Sequence, residues 1–284
     1  MLLFTTWALT SSVWSRKRLH SVSSDLWPWS ESLDGESELL YMPFLEHQLN
    51  MLESLGAKEL ALDPEMSLAS NPKARMGSRL FEVEGLFRRV RMSYFDGGDS
   101  IQVFNSLWYP SFDRLDAPLL GIDLLSFGKA KLLCVIDAQP PKGRDADTTI
   151  DTSELEKIHA KYESLKGTPS SRWYEDNRYF SPQMLYGTFV EDDKVDRTKV
   201  KTDLFPAFCD YLKAYVDVVQ EAHVDHAYDG KSHQKDYDTF NAKRDPAAKL
   251  FKSYFGPHFA ETFVHDFLFA LDDAPREEDA LASQ

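Results

Sequence analysis

Apolar positions first recur at helical spacing over residues 42–55, where Phe44, Leu45, Leu49, Leu52 and Leu55 share one face. A loop carrying Pro64 and Pro72 follows. The period then shortens to that of strands. Residues 80–84, 86–95, 100–109, 119–126 and 131–138 are short runs rich in β-branched and aromatic side chains. Asp96-Gly97-Gly98-Asp99 reads as a hairpin turn between two of them, and Phe127-Gly128-Lys129 as a second break. Consecutive strands with such short links predict an antiparallel sheet. The runs 119–125 and 132–136 are apolar on both faces, so the sheet must be covered on both sides.

The covers come from the flanking segments. Residues 153–166 read as a surface helix opened by a capping box at Ser153 and Glu156. The apolar segment beginning at Phe180-Ser181-Pro182 fits a strand or a helix. Leu204, Phe208, Tyr211, Leu212, Tyr215, Val218 and Val219 form a helical stripe over 204–221, with Pro206 in its first turn. Residues 222–235 are a polar loop or the start of a further helix. A helix over 246–255 stops at Gly256, and a last one spans 258–270. The predicted architecture is a three-layer α/β/α sandwich around a central antiparallel sheet, as one domain over 41–271.

Composition narrows the partners. Of 284 residues, 43% are hydrophobic, enough for a sizeable core. No apolar run approaches the roughly 18–20 residues that span a membrane. The formal net charge of -14 argues against nucleic acid. Acid is concentrated at 30–65, 187–197 and 272–279, whereas 73–91 is basic, with Lys73, Arg75, Arg79, Arg88, Arg89 and Arg91. That patch, with Lys249 or Lys252, is a candidate docking surface for an acidic partner. Residues 1–24 lack acid, are rich in Ser and Thr, and carry Arg16-Lys17-Arg18, as an organelle transit segment does. The apolar start from Leu2 to Trp14 also fits a secretory leader. Residues 1–40 are therefore set apart from the fold, and 272–284 are expected to be a disordered acidic tail.

The chemistry-bearing residues are few. Cys134 and Cys209 lie in apolar patterns and read as reduced, buried thiols without metal-ligand spacing. His223, His226 and His233 share a polar stretch but lack rigid spacing, so no metal site is assigned. Neither a phosphate-binding glycine loop nor a nucleophile elbow is present. Asp123 stands in the middle of the apolar strand Leu119-Leu-Gly-Ile-Asp-Leu-Leu125. It is either a strand acid with a buried partner or a functional acid whose pKa is raised by its dry surroundings. Asp245 precedes Pro246 at the mouth of a helix, the position of an N-cap, which leaves it free to face a pocket. Asn105 interrupts an apolar strand face, as a core amide or as a contact to the polar edge of a ligand.

Nine motifs in order, over about 43–271, resemble the ferredoxin-dependent bilin reductases. They are Phe87-Arg-Arg, Gly98-Asp-Ser-Ile-Gln-Val-Phe-Asn-Ser, Tyr109-Pro, Pro118-Leu-Leu-Gly-Ile-Asp-Leu-Leu-Ser-Phe-Gly, Asp137-Ala-Gln-Pro, Tyr179-Phe-Ser-Pro, Phe205-Pro-Ala-Phe, Arg244-Asp-Pro-Ala and Phe267-Leu-Phe. The resemblance implies an α/β/α sandwich holding a linear tetrapyrrole between the sheet and the C-terminal helices. It implies no bound metal or flavin, single electrons from ferredoxin, and a radical held by the bilin itself. Asp123 then corresponds to the family's central-strand catalytic acid and Asp245 to its C-terminal helix acid. Asn105 stands where the phycocyanobilin-forming members have histidine, which argues against that activity. The segment 98–128 is most similar to the members that form 15,16-dihydrobiliverdin, with the phycoerythrobilin-forming members next. With the transit-like segment 1–24 the expected location is a plastid, and the dihydro product is expected to be a substrate for a second reductase. A carrier that binds a bilin without turning it over remains an alternative, although two proton donors favour an enzyme.

Overall fold

The computed structural model describes residues 27–128, 131–167, 178–191 and 194–272. The transit-like segment 1–24 and the tail beyond 272 lie outside the described residues. Eight strands form one antiparallel sheet: β1 (Lys58–Leu60), β2 (Leu68–Asn71), β3 (Ala74–Val83), β4 (Phe87–Asp96), β5 (Gln102–Pro110), β6 (Leu119–Phe127), β7 (Lys131–Gln139) and β8 (Leu185–Thr188). The order is β1-β3-β4-β5-β6-β7-β8, with β2 beside β1 on the outer edge of β3. Helices α1 (Met42–Ser54), α3 (Ser153–Lys161) and α4 (Phe205–Glu221) are accompanied by the single turn α2 (Pro64–Ser67). At the C-terminal end lie α5 (Gly230–Ala242), α6 (Ala247–Phe255) and α7 (Pro257–Thr262), the last continuing as a π-helical turn over Phe263–Leu268. The expected three-layer sandwich is what the chain forms.

Alternation along the strands assigns the two faces. Phe104, Trp108, Leu120, Ile122, Leu124, Cys134 and Ile136 point into a core with α1 and α4, which contribute Phe44, Leu45, Phe208, Leu212 and Tyr215. Ser106, on the same face, accepts the Gln48 side chain at 2.7 Å. Leu107, Tyr109 and Leu119 point the other way, into a core with Tyr237, Phe251, Phe263 and Phe267 of the C-terminal helices. Each helical layer thus takes one side of the sheet.

Several boundaries differ from the sequence reading. β3 starts at Ala74 rather than 80, because Arg75 and Arg79 alternate with the buried Ala74, Met76 and Ser78 and disguise a strand as a basic run. The segment after Phe180 resolves as strand β8. The capping box at Ser153 does not form, since Ser153 is already helical and Asp151 accepts its N–H at 2.9 Å.

Residues 27–40, set apart with the leader, pack onto the fold. Asp96, fully buried at the end of β4, accepts from Ser32 Oγ (3.0 Å), the Leu33 N–H (2.7 Å), Arg75 Nε (2.9 Å) and the Gly98 N–H (3.0 Å). The Gln102 side chain holds the same strap through the Leu40 N–H (2.9 Å) and the Glu38 carbonyl (2.8 Å). Gly98 has φ +65° and lies against the Asp34 carboxylate, so a side chain there meets both strain and a clash. Asp96→Ala strands Arg75 and three other donors in a dry site, and is expected to cost about 3–5 kcal/mol in denaturant unfolding. Ser32→Ala, which removes one of the bonds to a carboxylate still held by Arg75, should cost about 1.5 kcal/mol. Equal small effects would show that Asp96 does not organise the strap.

Candidate active site

A cavity of about 310 Å³ opens between the sheet and the C-terminal helices, within the size range of small-molecule sites. Asp123, Asn105 and Asp245 all line it, with Arg91, Gly121, Gln139, Tyr237, Asn241 and Arg244. Leu107, Val135, Phe180 and Phe269 supply apolar wall. Strand register assembles the floor: Asn105 on β5 pairs directly with Asp123 on β6, and Asp123 with Val135 on β7.

The polar groups form a row. Arg91, 3% exposed, donates from Nε to the Leu268 carbonyl (2.8 Å) and from Nη1 to Asn105 Oδ1 (2.5 Å). With its oxygen held by Arg91, the Asn105 amide presents Nδ2 to Asp123 Oδ1 at 3.2 Å. Asn105 is therefore a link between a buried cation and a buried acid as well as part of the cavity wall. Burial raises the Asp123 carboxyl to about 7, and the nearby Asp245 charge adds to the rise. The Asn105 hydrogen bond and the Arg91 charge offset part of it. The accessible part of Asp123 opens on this cavity. An acid tuned in this way holds its proton near neutrality yet can release it to a base formed beside it.

Asp245 lines the cavity, but the N-cap of α6 is Pro246, one residue further on; the Asp245 Oδ1 accepts the Ala247 N–H at 2.7 Å from just outside the helix. Burial raises its pKa above the ordinary carboxylate value, and the Ala247 bond and Arg91 charge oppose the rise.

Sequence reading missed Arg91, Tyr237 and Gln139. Arg91 belongs to the basic run, yet it shares a strand face with Arg89, and both donate inward to the carbonyls of Leu268 and Phe267. The Tyr237 hydroxyl donates to Gln139 Oε1. Gln139 also bonds Asp137, which accepts Ser181 Oγ (2.5 Å) and the Ser181 N–H (3.1 Å) and is raised by burial to about 7. Gly121 keeps this side of the cavity open, for a Cβ there would lie 3.3 Å from Gln139 Nε2. Asp137-Ala-Gln-Pro carried the family resemblance, but a buried Asp-Ser-Gln-Tyr chain needs contacts that only the fold provides. Among the described residues no group of three or more His, Cys, Asp or Glu side chains could hold a metal ion.

A sheet with a half-buried acid pair under aromatic helices makes a proton-donating small-molecule site, and comparison identifies its family. Residues 46–270 match the ferredoxin-dependent bilin reductase family, and the chain belongs to it. It is 36% identical over 239 residues to the 15,16-dihydrobiliverdin:ferredoxin oxidoreductase of Nostoc punctiforme, covering 81% of this chain and 95% of that one. It is 37% identical over the same length to the enzyme of that name from Gloeobacter violaceus. Its fold is similar to that of tomato phytochromobilin synthase solved with biliverdin, with a TM-score of 0.72 at 19% identity, covering 85% of this chain and 88% of that chain.

The raised acids make stability depend on pH. Asp123 titrates near 3.8 when unfolded and about 7 when folded. The folded chain keeps its proton where the unfolded chain has lost it, so the stabilisation is full below about pH 4 and disappears as pH rises through 7. Asp123→Asn removes one such group. Its unfolding midpoint should fall less than that of the unsubstituted chain between pH 4 and 8. Parallel profiles would contradict the raised pKa.

Proposed function

We propose that this chain reduces biliverdin by two electrons at the methine bridge between its C and D rings, giving 15,16-dihydrobiliverdin, with reduced ferredoxin as the electron donor. The reading rests on the two cavity-lining aspartates whose carboxyls burial raises above the ordinary value, Asp123 to about 7, together with the relatives of that name at 36% and 37% identity. The bilin carries the unpaired electron, with no metal or flavin between it and ferredoxin. One electron makes a basic radical anion, which Asp123 protonates. A second electron and a proton from Asp245 complete the reduction, and both carboxylates regain protons from solvent. Asn105 holds Asp123 and meets the polar edge of the bilin. The apolar wall keeps water from the radical.

The product retains its ring A vinyl group and passes to a second reductase that completes phycoerythrobilin. An acid-free leader over 1–24 supports placing the enzyme in a plastid.

Asp123→Asn should bind biliverdin nearly as well as the parent but turn over about 10²–10⁴-fold more slowly, with a radical signal accumulating in electron paramagnetic resonance. Normal turnover would remove Asp123 from this role. Feeding biliverdin and 15,16-dihydrobiliverdin separately, with chromatographic identification of products, tests the regiochemistry. Biliverdin should be consumed and give a product absorbing at shorter wavelength, since ring D leaves the conjugated system. Consumption of the dihydro compound alone would make the chain a phycoerythrobilin-forming enzyme. Binding of biliverdin without any consumption would make it a carrier.

A further inference from the structure

The basic run at 73–91 does not form the docking surface that its composition implies. Arg75 pairs with Asp96 and stacks on Trp29 at 4.6 Å. Arg79 pairs with Glu59 at 2.6 Å. Arg88 donates to Gln234 and stacks on Tyr109, and Arg89 and Arg91 donate to the carbonyls of Phe267 and Leu268. Five of the six cations are committed to the fold, and only Lys73 is left exposed without a carboxylate.

Cations without an ion pair among the described residues gather instead on the segment that runs from the cavity wall at Arg244 into α6. Lys243, Arg244, Lys249 and Lys252 are exposed, and none makes an ion pair with a described residue. Arg244 is held by its stack on Phe240 at 3.9 Å and its bond to the Phe240 carbonyl. The acid among residues 243–256, Asp245, faces the cavity. Lys249 and Lys252 are three apart on α6, so they share one face of the helix. Lys73 joins the group from the β2–β3 turn, which is tied to α6 by Asn71 Nδ2 donating to the Tyr254 carbonyl at 2.7 Å. Elsewhere the chain pairs its surface lysines: Lys58 with Glu82, Lys157 with Glu154, Lys161 with Asp210, Lys166 with Glu163, Lys201 with Glu38 and Lys213 with Asp217. Among the described residues, Lys131, Lys199 and Lys231 also lack a recorded ion pair, and they lie apart from this group in sequence.

We propose that the exposed face of α6, with Lys249 and Lys252 at its centre and Lys243 and Lys73 at its rim, is where the acidic one-electron carrier ferredoxin docks. The proposal rests on the ferredoxin-dependent reading above and gives that partner its place. Charge complementarity carries it: a positive island on a chain of net charge -14 attracts an acidic protein to one orientation and repels it everywhere else. Position carries it too. The segment Arg244-Asp245-Pro246 lines the cavity, and Lys252 lies six residues further on, about 9 Å along a helix axis. A carrier seated there delivers its electron beside the bilin rather than across the sheet. Electron-transfer encounters use small, polar interfaces that must release quickly, which suits a few unpaired lysines without an apolar anchor.

The test is the pair of substitutions Lys249→Glu and Lys252→Glu in the full chain, with Lys157→Glu and Lys213→Glu on other surfaces as a control of equal net charge. Ferredoxin affinity is read directly by titration at low salt, and separately as the KM for ferredoxin in turnover. The α6 variant should bind ferredoxin at least tenfold more weakly, with a flatter salt dependence, while the biliverdin titration and turnover driven by a small reduced viologen stay unchanged. The control should alter ferredoxin binding by less than a third of that. Equal weakening in both variants, or unchanged affinity in the α6 variant, would overturn the docking site. Ferredoxin that binds at α6 in the parent but supports no bilin reduction would leave the surface standing and reject the proposed activity instead.

Discussion

Direct pairing of Asn105 with Asp123 across β5 and β6 is the contact on which the site depends. It puts an acid on the cavity face of a sheet whose other face is closed by α1 and α4. A one-residue slip of β6 would carry Asp123 into the core beside Phe104 and Trp108, and would put Ile122 or Leu124 opposite the C-terminal helices. The turn at 97–101 and the strap on Asp96 fix the register of β5 against β4, which sets the face that Asn105 presents to Asp123. The chemistry of the cavity is thus set by hydrogen bonds of the hairpin and its turn as much as by the acid itself.

The acid pair and the arginine behind it act together. Arg91 contacts neither carboxylate through a hydrogen bond, yet its charge lowers both pKa values against the opposing effect of burial. Its bond to Asn105 fixes which end of that amide faces Asp123. Two acids that share a cavity and repel each other's charge cannot both ionise easily. The first proton to leave makes the second harder to remove, an order that suits a reaction in which protons arrive one at a time.

How much of this was legible in the sequence varies with the kind of signal. Period-two alternation and turn residues located the central strands, and the helical stripe at 204–221 located α4, because each depends on local pattern. Asp123 stood out because a charged residue in an apolar strand is locally anomalous. The basic run was misleading for the same reason: Arg75, Arg79, Arg88, Arg89 and Arg91 look like a surface patch until their distant partners are known. Asp96, Glu59, Gln234 and the carbonyls of Phe267 and Leu268 lie up to 178 residues away in the chain. The role of residues 27–40 was hidden likewise. Nothing in Ser32 or Leu33 announces that a carboxylate 63 or 64 residues later awaits their protons.

That strap sets a limit on how short the working protein can become. Asp96 draws on Ser32 and Leu33, and Gly77 has no side chain because the rings of Trp27 and Trp29 lie against it. A protease that trims the amino end as far as Tyr41 would leave a fully buried carboxylate without two of its donors and uncover the floor beneath the two tryptophans. The fold therefore needs the chain from Trp27 onward, and the near limit of what packing requires is set by β3 and the β4–β5 hairpin.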